Sequence, residues 1–68
     1  MDRIKTDAHG HVRDAETGLT FGRIRRTGDY WTGTTAPRVG QPSLDVHRLY
    51  RRDAALAVAA AYLLGYED

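Results

Sequence analysis

The stretch Leu19-Thr20-Phe21-Gly22-Arg23-Ile24-Arg25-Arg26-Thr27-Gly28-Asp29-Tyr30-Trp31-Thr32-Gly33-Thr34-Thr35 decides the fold. Thr27-Gly28-Asp29 is a turn signal between two runs of β-compatible residues, and aromatic and β-branched side chains dominate the second run. In the first run Leu19 and Phe21 share a face, but Ile24 breaks the alternation by one residue. A β-bulge at Gly22 would return Ile24 to the side of Leu19 and Phe21. The reading is therefore an antiparallel pair with one apolar face.

Upstream, His11-Val12-Arg13-Asp14-Ala15-Glu16 precedes Thr17-Gly18, a second turn signal, so this run is expected to form a hairpin with the next. The first nine residues show neither a helix nor a strand period and are expected to be frayed. Downstream, residues 36–42 hold two prolines and Gly40 and read as a surface loop. Ser43-Leu44-Asp45-Val46-His47-Arg48-Leu49-Tyr50 alternates at Leu44 and Val46 and reads as a strand. Asp53 can cap a helix over residues 53–64, with Gly65 placed to end it. Leu56, Ala59, Ala60 and Leu63 form one stripe, expected to face the sheet, with Ala55, Val58 and Tyr62 beside it. The class is α+β: a three- or four-stranded antiparallel sheet over residues 10–51 with one C-terminal helix across it, β-β-β-α or β-β-β-β-α.

The totals are consistent with one domain. Sixty-eight residues bury about 60% of the unfolded chain's surface. With no cysteine, disulfides and thiolate metal sites are excluded, so self-association is the first candidate for added stability. The apolar run at Ala54–Leu64 is far short of the roughly 20 residues that span a bilayer, and Met1–Asp7 lacks the apolar core of a signal peptide. These readings place the protein in the cytoplasm and away from membranes. Nine of the ten basic residues are arginine, a bias of GC-rich coding such as that of an actinobacterium or its phage.

Charge is unevenly placed. Residues 17–52 carry seven arginines against Asp29 and Asp45, net +5, between ends of net −1 and −3. Such asymmetry hints at an anionic partner. Arg23 and Arg25 alternate onto one side of a strand, with Arg26 on the other or at its end. Guanidinium groups beside an aromatic ring on an open sheet face can grip phosphates and read base edges. Arg23, Arg25, Arg26, Trp31 and Arg48 are therefore the candidate nucleic-acid contacts, though Trp31 also reads as core. Arg48, Arg51 and Arg52 precede the helix, where cations oppose the dipole unless they meet an anion.

Catalysis has little to work with. No Ser/His/acid set is recognisable, no glycine-rich phosphate loop occurs, and no enzyme activity, cofactor or small-molecule substrate is expected. His9-Gly10-His11 could chelate from one face of a strand, but a zinc site needs three or four ligands and no further pair is spaced to help, so no metal is expected.

Gly28-Asp29-Tyr30-Trp31 followed by a β run, then Leu49-Tyr50-Arg51-Arg52-Asp53-Ala54-Ala55 entering an alanine-rich helix, resembles a known small module. It is similar to the arm-binding N-terminal domains of tyrosine recombinases and to plant ethylene-response-factor-type DNA-binding domains. The resemblance covers residues 21–64 and implies a three-stranded sheet that enters a DNA groove, backed by one helix. It would assign the DNA contacts to Arg23, Arg25 and Trp31. The long connection at residues 37–42 and the near-absence of lysine depart from the pattern.

Two functions remain. In one, the chain is a protein-interaction or inhibitor module of a phage or mobile element, docking a partner or a second copy through Tyr62, Leu64 and Tyr66. In the other, it is a DNA-binding accessory factor using its arginine-rich sheet face. The sequence leans to the first and expects a homodimer.

Overall fold

The computed structural model describes residues 3–38, 40 and 42–64. Five strands follow one another in an antiparallel meander, β1 (Ile4–Thr6), β2 (His11–Asp14), β3 (Thr20–Thr27), β4 (Tyr30–Thr35) and β5 (Asp45–Arg48). A C-terminal helix, α1 (Arg51–Leu64), packs across the sheet. The fold is α+β, and the sheet has one strand more than the largest number expected.

That extra strand is β1, drawn from the segment expected to be frayed. Asp7 builds it. Its carboxylate accepts the backbone amides of His9 and His11 (2.9 Å each), and its carbonyl accepts the amide of Gly10. A carboxylate that binds the backbone two residues on closes a tight turn without any apolar signal. Ile4 and Thr6 are then laid opposite Asp14 and Val12. Gly10, at φ +85°, is required beside this turn, because a Cβ there would run into the carbonyl of Ile24.

Between β3 and β4 the loop is two residues long, since Thr27 pairs with Tyr30. Gly28 has φ +59° and, among the described residues, no non-glycine residue has positive φ, so Asp29 does not; this is the pattern of a type II′ hairpin turn. On the other side of β3, Val12 pairs with Gly22 but Arg13 pairs with Thr20, so Phe21 is the extra residue of a bulge. The bulge puts Phe21 on the same side as Ile24, and both are buried. Leu19, expected beside them, lies before β3 and stays exposed.

The helix presents a different face from the one expected. Ala54, Ala55, Val58, Ala59 and Ala61 are buried, whereas Leu56 and Leu63 are 44% and 62% exposed. The sheet explains the choice. Gly22 and Gly33 lie diagonally across the β3–β4 pair and offer no side chain to the helix. Val58 seats in the hollow they leave: a Cβ on Gly22 would stand 2.7 Å from Val58 Cγ1, and one on Gly33 would overlap Val58 Cγ2. So close an approach admits small side chains only. The core is Val12, Phe21, Ile24 and Val46 from the sheet against Val58 and the alanines from α1.

The helix also starts two residues earlier than expected. Asp53 therefore lies inside its first turn, not at the cap, and there its charge favours the dipole. Among the described residues no helix is long and apolar enough to cross a membrane.

Candidate nucleic-acid interface

Because α1 covers one face of the sheet, strand register decides which side chains reach the other. Ile24 and Gly33 pair and face the helix, so Arg23 and Arg25 face away from it, opposite Thr34 and Thr32. His11 lies opposite Arg23 on the next strand, and Asp45 and His47 lie opposite Thr34 and Thr32 on β5. Arg13 and Lys5, paired on β2 and β1, share this open face.

The open face forms a shallow groove of about 450 Å³, lined by His11, Arg23, Arg25, Thr32 and Thr34, with Pro37 and Ser43 at one rim. Its polar groups are unequally engaged. Thr34 donates to the Asp45 carboxylate at 3.0 Å, and the Thr32 hydroxyl lies 3.0 Å from that of Thr27 and 3.3 Å from His47 Nδ1. At the other margin Asp7 holds His11 Nδ1 at 3.2 Å and Arg13 at 3.8 Å. The amide of His11, then its ring and the amide of His9, hold the Asp7 carboxyl down at about 2. Both acids of this face are thus occupied at its edges. The side chains of Arg23 and Arg25, at its centre, make no hydrogen bond or ion pair among the described residues.

The five arginine and tryptophan positions expected to act together are divided between two faces. Arg23 and Arg25 share the open face. Arg26, Trp31 and Arg48 are in register with one another on the helix side, at the end of the sheet. There Trp31 is half-buried with the Arg51 guanidinium 5.8 Å from its ring centre, and Arg26 Nε donates to the Gly28 carbonyl. The aromatic ring on the open face is Tyr30, edge-on to His47 at 5.5 Å. His11, Thr32 and Thr34 were not among the candidates, although the two-residue turn at Gly28-Asp29 fixes Thr32 opposite Arg25.

The candidate docking residues divide as well. Tyr62 turns inward, meeting Phe21 edge-on at 5.6 Å and lying beneath the Arg38 guanidinium. Leu64 is exposed, with Leu56 and Leu63, which were not candidates; Tyr66 lies outside the described residues. His9 and His11 bring their rings to 6.3 Å, and no group of three His, Asp or Glu side chains suited to a metal forms among the described residues. Comparison with family models, curated proteins and solved structures finds no match to the chain.

Proposed function

We propose that the chain is a non-catalytic nucleic-acid-binding protein of the cytoplasm that lays its open sheet face on a phosphate backbone. One observation carries this reading: Arg23 and Arg25 alternate onto the uncovered side of the central strand with no partner among the described residues. Two residues of strand separate their stems by about 7 Å. Arginine forks match phosphate oxygens bidentately, and the threonine hydroxyls around them supply neutral donors. Lys5 and Arg13 extend the basic track toward β1.

Each phosphate neutralised releases condensed counterions, so two to four contacts give a log–log salt slope of about −2 to −4 on duplex DNA. Fluorescence anisotropy of a labelled duplex, titrated between roughly 50 and 200 mM salt, reads that slope directly. Replacing Arg23 and Arg25 together with alanine should weaken binding and flatten the slope by about two units while the circular dichroism spectrum is kept. No retention of DNA by the wild-type chain at low salt would sink the reading.

The other reading, a protein-interaction or inhibitor module, is favoured by a different observation. Leu56, Leu63 and Leu64 stand exposed on the outer side of α1, and exposed apolar surface of this kind marks docking sites.

A further inference from the structure

We propose that the strand laid on the open face is unpaired, with one of its bases stacked on Tyr30. Resting on the nucleic-acid reading above, this names the class of ligand as single-stranded nucleic acid, DNA or RNA. The width of the sheet argues against a duplex. His11, Arg23, Thr34 and Asp45 are paired in one row across β2, β3, β4 and β5. At about 4.8 Å between neighbouring strands, the outer two of that row stand roughly 14 Å apart. A major groove is about 12 Å wide and takes a two-stranded ribbon. Arg23 is an inner member of the row, so it cannot reach the floor of such a groove. A duplex can offer this face its phosphates but not its bases.

The bases of an unpaired strand are free to turn toward the protein, and aromatic rings receive them. The open face holds such a ring at the hairpin end of the sheet. Tyr30 pairs with Thr27 and alternates with Thr32, so it shares the face of Arg23 and Arg25. It is 38% exposed. Its contact with His47 is edge-on, with 85° between the planes, so at least one face of the ring stays clear of the imidazole. The pair is braced by Thr32, which is buried and lies opposite His47. The Thr32 hydroxyl is within hydrogen-bond reach of both Thr27 and His47 Nδ1. The imidazole is thereby held in place and Tyr30 rests against it, so a base stacking there meets a ring already ordered.

Arg25 supplies charge next to that ring. It lies directly opposite Thr32, so Tyr30 is its diagonal neighbour on β4, about 7–8 Å away. Arg23, Arg25 and Tyr30 form a track of two cations ending in an aromatic ring. Charge sets the order along it. Asp29, in the turn beside Tyr30, disfavours a phosphate at that end, whereas a base is neutral. The other acids of this face stand at its margins, Asp45 engaged with Thr34 and Asp7 with His11 and Arg13.

The test is anisotropy of three labelled ligands at equal salt: a short oligothymidylate, an oligouridylate and a duplex of the same length. The full chain should bind at least one of the single strands more tightly than the duplex. Tyr30→Ala should weaken single-strand binding roughly 5- to 150-fold, the range for losing one stacked base. Its salt slope should stay that of wild type, because a stack releases no counterion. Tyr30→Phe should bind like wild type, and neither variant should change duplex affinity. A duplex bound as tightly as both single strands overturns the inference and leaves the proposed function standing. So does a folded Tyr30→Ala of unchanged affinity, or a Tyr30→Phe that loses as much as Tyr30→Ala. On the wild-type chain, a single strand carrying iodouracil should cross-link to Tyr30 on irradiation. Cross-linking to Trp31, on the helix-side face, overturns the stack as well. No binding of any of the three ligands overturns the proposed function, and the inference with it.

Discussion

Val58 is fully buried in the hollow left by Gly22 and Gly33, and the two sides of that contact are tested best together. Val58→Ala removes two methyl groups, worth about 1.6 kcal/mol of transfer free energy at ~0.8 kcal/mol each. The unfilled space raises the cost to about 2–3 kcal/mol. Gly33→Ala places a Cβ on Val58 Cγ2 and 2.9 Å from Val46 Cγ2. Overpacking of this kind costs about 1–3 kcal/mol, offset by about 0.5–1 kcal/mol because alanine loses less backbone freedom than glycine in a strand. In the double variant the new Cβ takes the space that Cγ2 vacated. It should therefore be no less stable than Val58→Ala alone, with a coupling of at least about 1 kcal/mol. Urea unfolding followed by Trp31 fluorescence and circular dichroism measures all four corners of the cycle. For a domain of this size each kcal/mol moves Tm by about 4–8 °C, so the single variants are well resolved. Sucrose can be added to all four if the alanine variant lacks a folded baseline. Strict additivity would refute the shared hollow. Leu63→Ala deletes more atoms yet should change stability by no more than about 0.5 kcal/mol, since its side chain is exposed.

Two further outcomes follow from register and from the acids. Replacing Arg26 and Arg48 with alanine should leave the salt slope of DNA binding within about half a unit of wild type, because both lie on the helix-side face; a loss equal to that of the Arg23/Arg25 pair would contradict the assigned faces. Asp7 is lowered from an ordinary 3.8 to about 2, chiefly by the amide of His11, and Asp14 is lowered chiefly by the amide of Glu16 and then by Arg3. Carboxyls depressed in the fold contribute stability that is complete above their unfolded values near 4 and is lost as pH falls through their folded ones. Stability should thus fall from about pH 4 toward pH 2, and Asp7→Asn should flatten that fall; an unchanged pH dependence of the urea midpoint would remove Asp7 from the account.

Much of this fold is legible locally. Gly28 predicts the hairpin, Gly22 predicts the bulge, and the alanine run predicts the helix. Each is a decision made within a few neighbouring residues. What could not be read depends on contacts between distant segments. Periodicity favours Leu56 and Leu63 as the core stripe, because large apolar side chains usually bury most area. The hollow that selects Val58 instead is made by two glycines on different strands, and only the pairing of Ile24 with Gly33 brings it under the helix. β1 escaped notice because a polar side chain, Asp7, makes its turn. The candidate site shows the same division. Alternation alone puts Arg23 and Arg25 together, but grouping Trp31 with them ignored parity across the turn: with Thr27 opposite Tyr30, Trp31 must fall opposite Arg26.

The face α1 chose bears on why the chain would bind anything. Had its leucines packed on the sheet, the outer side would have been mostly alanine, and nothing there would reward a partner. With alanines against the glycine hollow, three leucines remain exposed, each worth about 1.5–3 kcal/mol on full burial. A chain of this length holds only about 3–5 kcal/mol from its core. Burying even part of the leucine surface would therefore be comparable to the whole stability of one chain. The arginine face gains from the same choice. Because the close-packed helix side carries the cohesion, the open side needs no apolar residue at its centre. Arg23 and Arg25 can stand there with their side chains unpaired, at little cost to the fold.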